Sequence, residues 1–262
     1  MMLKTLIAAV LSLSFAMPVL PHPDHAEQAP SSDSATQKKP RRVSPGKGKE
    51  PHAPLSAYKE DECLGWKLLV NEDLIADKEL HKQVLDEVHH QLFRITRILP
   101  EEKVKQLQAV PIWLELKNPY SSSCQYHPSA SWLKANGYLT EKAKCVDIGS
   151  AERFLHETKT RQPFVLLHEL AHAYHDQHLG FNHPGIMKAY NAIKEAGNYE
   201  EVLFSNGRKV RHYALTDQKE YFAESTEAFF GMNDFYPFVR AELKTHDPAM
   251  YEIVKEVWGL NR

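Results

Sequence analysis

The stretch "FVLLHELAHAYHDQHLG" (Phe164–Gly180) restricts what this chain can fold into more than any other. Phe164 to Leu167 are all apolar, and Leu170, Ala171 and Ala173 are apolar or small. The segment therefore reads as a core helix that starts near Pro163 and stops at Gly180. The same run carries His168, Glu169 and His172, which are costly to bury without partners. A fold built around this helix has to deliver a cation or hydrogen-bonding groups to those three side chains.

Their spacing, HExxH, says which. On a helix, residues four apart share a face with Cβ atoms about 5–6 Å apart. Two imidazoles so placed can reach one Zn²⁺ through bonds of roughly 2.0–2.1 Å. Glu169 lies one position round from His168, where a carboxylate contacts a metal-held water and acts as general base. At least one further ligand is required. His178 stands where HExxHxxGxxH sites keep their third histidine, but His175 replaces the glycine that lets such chains turn back. If the helix runs on to Gly180, His178 points about 280° away from His168 around the axis. An HExxHxxGxxH-like peptidase using His178 is thus the alternative, with His175 and His178 otherwise partly exposed helix residues.

A second source of ligands lies in "DQKEYFAESTEAFFG" (Asp217–Gly231). Glu220, Glu224 and Glu227 recur at helical spacing among Tyr221, Phe222, Phe229 and Phe230. Acidic helix faces are ordinarily just solvated, but the aromatic residues point to a buried helix whose carboxylates need a cation or donors. One such carboxylate can bind the metal while another, a turn on, accepts a hydrogen bond from a ligand histidine.

The remaining sequence is that of a globular protein with an exported start. "MMLKTLIAAVLSLSFAM" combines a basic beginning, a short apolar run and a small-x-small pattern at Ser14–Ala16, so residues 1–16 are expected to be a signal peptide cleaved after Ala16. The run is shorter than the about 20 residues a membrane span needs, so no stable span is expected after cleavage. Secretion or a periplasmic location follows. Residues 17–57 are Pro-rich and contain the basic patch "KKPRRVSPGKGKE", which reads as a disordered linker. Residues 58–262 form the domain. A net charge of -2 gives no reason to expect a nucleic-acid partner. In an oxidising compartment the nearer pair of the three cysteines, Cys124 and Cys145, is expected to form a disulfide worth about 3 kcal/mol, with Cys63 left over.

Strands are expected at "WKLLVN" (66–71), "VPIWLEL" (110–116) and "KCVDIG" (144–149), and a helix with Leu80, Val84, Leu85, Val88, Leu92 and Ile95 on one stripe. A helix follows Pro184. Asn206-Gly207 signals a hairpin, and two C-terminal helices cover Gln218–Phe230 and Pro237–Trp258. Strands precede most helices with little βαβ alternation, which makes the class α+β.

"HELAHAYHDQ" followed by "HYALTDQKEYFAESTEAFF" resembles the gluzincin metallopeptidases typified by the catalytic domain of anthrax lethal factor and its secreted bacterial and fungal relatives. The likeness covers residues 58–258 in outline, with specific motifs at 168–172 and 213–230. It implies a zincin-like fold, a twisted mixed sheet packed on the HExxH helix with further helices C-terminal to it. It also implies Glu220 as third zinc ligand, Tyr213 as stabiliser of the transition state, Glu224 as the carboxylate behind a ligand histidine, and a peptide or protein substrate laid along an edge strand, here expected to be "KCVDIG". A phenol at Tyr213 is chemically apt, because peptide hydrolysis builds negative charge on the former carbonyl oxygen. In an extended segment His212 would face the opposite side. The rival class is a zinc-stabilised binding module without turnover.

Overall fold

"WKLLVN" and "PIWLE" hold short, nearly continuous apolar runs, the pattern of strands inside a sheet rather than at its edge. The computed structural model, which describes residues 52–118 and 123–260, places them there. Strands β1 (Tyr58–Cys63), β2 (Trp66–Asn71), β3 (Ile112–Leu114), β4 (Gln125–Tyr126) and β5 (Val146–Ile148) form one mixed sheet in the order β1-β2-β3-β5-β4. β2, β3 and β5 run parallel, and β1 and β4 are antiparallel flanks. Leu68, Val70, Ile112, Leu114, Val146 and Ile148 point to one face and the main core. Trp113 and Cys145 point to the other, beneath Tyr58.

That second face also holds a buried charge network. Lys142 lies between Glu115 and Asp147, with its Nζ 2.8 Å from Asp147 Oδ1. The Tyr58 hydroxyl donates to Glu115 at 2.7 Å, and His127 Nε2 is 3.3 Å from Asp147. Paired in this way, the charges avoid the penalty of isolated burial.

Most of the helices cover the main-core face. α1 (Glu72–Ala76), α2 (Lys78–Ile98) and α3 (Glu101–Gln108) join β2 to β3, and α4 (Ala130–Ala135) follows β4. On α2 the expected stripe is buried at Val84, Val88, Leu92 and Ile95. After α5 (Ala151–Thr160) comes α6 (Val165–Tyr174), all ten of whose residues are buried, continued by a π turn over His175–Leu179. α7 (Pro184–Ala196) is followed by the hairpin of β6 (Val202–Leu203) and β7 (Lys209–Val210), whose Gly207 takes φ +83°. α8 (Gln218–Phe230) packs on α6.

Four expectations change. The C-terminal helix divides into α9 (Arg240–His246) and α10 (Pro248–Val257), because Pro248 cannot continue α9 and starts a new helix capped by Asp247. The first strand is expected at "WKLLVN", yet the charged run "YKEDEC" before it forms the edge strand β1, closed onto β2 by Leu64-Gly65 at positive φ. The "KCVDIG" strand is β5, flanked on both sides and therefore interior, so the free edge near the HExxH helix belongs to β4.

Finally, Cys124 and Cys145 are free thiols. The β4–β5 register aligns Gln125 with Asp147, which carries Cys124 opposite Ile148 and Cys145 opposite His127. The two cysteines are thus about three residues apart along the ladder, on opposite faces and in different core clusters. That exceeds the roughly 7 Å a disulfide can bridge. Among the described residues, no helix is long and apolar enough to cross a membrane. Residues 1–16 and most of the expected linker lie outside the described residues.

Denatured without reductant, the chain should take up three thiol labels at Cys63, Cys124 and Cys145. Uptake of one, with Cys124 and Cys145 silent, would mean that the β4–β5 register is wrong.

Candidate metal centre

α6 enters the core without a capping side chain of its own. Gln91 on α2 supplies one, its Oε1 accepting from Leu166 N at 3.0 Å. The helix then presents His168 and His172 toward α8. Asp217 caps α8 by accepting from the Lys219 and Glu220 amides, which holds Glu220 in the first turn.

Three atoms converge there. His168 Nε2 and His172 Nε2 are 3.0 Å apart, and each is 3.2 Å from Glu220 Oε2. Three ligands bound at about 2.05 Å to one cation, at angles of about 95–105°, are separated by these distances. His168 donates from Nδ1 to Glu227 Oε1 at 2.6 Å, so its Nε2 lone pair faces the cluster. Two imidazoles and a carboxylate, one imidazole with its outer nitrogen held by an acid, make a donor set that fits Zn²⁺. Among the described residues two groups of histidine and acidic side chains lie close enough to hold an ion: His168, His172 and Glu220, and His168 with Glu224 and Glu227. The second shares His168 through the nitrogen already bonded to Glu227.

The acid behind His168 is therefore Glu227, and the expectation for Glu224 is corrected. Its Oε1 is 3.8 Å from Nδ1, beyond a hydrogen bond. Two turns along a helix return a side chain to within about 20° of its start, whereas four residues overshoot by about 40°. Glu227 thus sits more directly over the contact that α8 makes with α6. Gln162 Nε2 also donates to Glu227 Oε1 at 3.0 Å.

Charge at the site follows from these contacts. Burial alone would lower the His168 pKa, but its bonds to Glu220 and Glu227 outweigh burial and hold it well above the usual histidine value. Glu220 shows the converse: burial would raise it, and the two imidazoles hold it far below the carboxylate range. Burial raises Glu169 despite both histidines. Burial also pushes Glu224 well up, with Glu227 and Asp234 adding to it.

Glu169 is buried and its Oε2 accepts the Tyr126 amide of β4 at 2.7 Å. A cleft of about 290 Å³ beside the cluster is lined by Tyr126, Pro128, His172, Phe181, Lys219 and Glu220. Tyr213 begins a short 3-10 turn instead of an extended segment, and the residue as a whole is 47% exposed. Its phenol is pushed up to about 12 by burial and Glu220, and it also senses His168, Glu224 and Glu169. His212 points the other way, buried between the Tyr199 and Phe235 rings. His178 stacks on Tyr174 and stays out of the cluster. His175 is not partly exposed but fully buried against Phe181 and Phe222.

The sequence marks Glu227 only as one member of a repeat, and nothing in it singles out Gln91, Tyr126 or Asp176. The other three are set by contacts between elements 43 to 75 residues apart in sequence, or by the π turn.

Residues 70–257 match the family model described as anthrax toxin lethal factor, N- and C-terminal domain. No curated protein and no solved structure matches the chain.

Asp234, beside this cluster, is pushed up to about 7, first by burial and then by Glu227, with Arg161 opposing. A carboxyl whose folded pKa exceeds its unfolded value stabilises most below the unfolded value, about 4, and that contribution disappears as pH rises through about 7. Urea denaturation across this range should show wild-type stability falling more steeply than that of Asp234→Asn. Parallel profiles would contradict the assignment.

Proposed function

The chain belongs to the lethal factor family, a zinc metallopeptidase-like family, and on that premise we propose that it is a zinc-dependent peptidase acting on peptide or protein substrates. The observation that carries this reading is the meeting of His168 Nε2, His172 Nε2 and Glu220 Oε2 within 3.2 Å of one another, with Glu169 one residue along.

His168, His172 and Glu220 would hold the ion, with Glu227 fixing the His168 ring. Zn²⁺, when bound there, supplies Lewis acidity that polarises a carbonyl and lowers the pKa of water toward about 7. Glu169 has Oε2 engaged by the Tyr126 amide, which leaves Oε1 to take the proton from the attacking water. The same carboxyl then returns that proton to the leaving amine. Tyr213 donates its O–H to the oxyanion that develops on the scissile carbonyl. The outward edge of β4, beside the cleft, is where an extended substrate would lie, adding its backbone to the sheet.

The start of the sequence supports action outside the cytoplasm, secreted or periplasmic. Expression in an exporting host should yield a mature chain beginning at Met17. A full-length chain retained in the cytosol would contradict this.

Glu169→Gln should bring hydrolysis of a peptide library to background while zinc stoichiometry stays near one. Tyr213→Phe should lower kcat by about 10²–10³ with zinc intact, as loss of one oxyanion donor does. A turnover near wild type in Glu169→Gln would sink the base assignment. Bound zinc without chelator-sensitive cleavage in the wild type would favour a non-catalytic binding module.

A further inference from the structure

We propose that Tyr126 and Asp176 are positioning residues, a tether between β4 and the π turn that holds the Glu169 carboxylate in its working orientation. The proposal rests on Glu169 as base.

β4 has two paired residues and one sheet neighbour, β5. A strand so short is a weak support for a carboxylate that must be held within about 0.5 Å. Yet Glu169 is aimed by this strand through the Tyr126 amide. The support comes from Tyr126's own side chain. Its hydroxyl donates to Asp176 Oδ2 at 2.7 Å and accepts from Gln177 Nε2 at 3.1 Å. Asp176 Oδ2 also receives Lys144 Nζ at 2.5 Å, and Gln177 Nε2 reaches Lys144 O at 3.5 Å. Lys144 N in turn donates to His127 O, next to Tyr126. Asp176 and Gln177 thus grip both β4 and the segment leading into β5.

The π turn makes this grip possible. Widening the helix over His175–Leu179 brings Asp176 and Gln177 to the sheet side together, while His175 turns into the core. His175 accepts a cost there: both ring nitrogens are buried without a hydrogen-bond partner among the described residues. Such π turns collect at functional sites, and here the local cost goes with a three-point loop. Glu169 takes the Tyr126 amide, Tyr126 gives its hydroxyl to Asp176, and the backbone from Glu169 to Asp176 is one continuous helix.

The test uses the full chain with zinc, in wild type, Tyr126→Phe, Asp176→Asn, the double variant and Glu169→Gln. Amide hydrogen exchange reads the tether without reference to activity. Tyr126 N–H should exchange at least tenfold faster in Tyr126→Phe and in Asp176→Asn than in wild type, with amides of α10 unchanged. In the hydrolysis assay each single variant should lose about tenfold in kcat at unit zinc stoichiometry, with the larger change in kcat rather than KM. The double variant should lose no more than either single one, since one bond can be broken only once. Unchanged Tyr126 exchange would overturn the tether. Faster exchange with unchanged kcat, or additive losses in the double variant, would overturn its role in positioning Glu169. Failure of the base assignment shows separately, as an active Glu169→Gln.

Discussion

The packing of α8 on α6 is the contact on which the rest of this molecule depends. α6 buries two imidazoles and a carboxylate, and α8 buries Glu224 and Glu227 and half-buries Glu220. Either helix alone would be a poor core element. Together they satisfy one another, Glu220 between the two Nε2 atoms and Glu227 behind His168.

Everything around that contact is arranged to hold it still. Gln91 on α2 completes the first turn of α6, and Asp217 completes that of α8. On the other side the sheet reaches the site through β4. The buried network of Lys142, Glu115, Asp147 and His127 ties β4 and β5 together on the far face, while Tyr126 ties β4 to the helix on the near face. A peptide bound along β4 would therefore lie against a strand anchored from both sides.

Periodicity was the strongest signal in the sequence, and it succeeded wherever one element's own pattern decides the outcome. The α2 stripe, the limits of α8 and the two-faced strands β2 and β3 could be read directly, since burial selects apolar residues at 3.6- and 2-residue spacing. What escaped depends on how elements meet. Choosing Glu227 over Glu224 requires knowing how α8 crosses α6. The absence of a Cys124–Cys145 bridge follows from a strand register that proximity in sequence cannot supply. β4 is two residues long and carries no periodic pattern, so the true sheet edge went unread and β5 took its place. Asp176 and His175 looked like ordinary helix residues until the helix widened.

Anomalous diffraction at the zinc absorption edge, on crystals grown with one equivalent of zinc, tests the central claim most directly. A single peak about 2.0–2.2 Å from His168 Nε2, His172 Nε2 and a Glu220 oxygen is the expected result. A peak that leaves Glu220 in solvent, or one held by His178, would contradict the account.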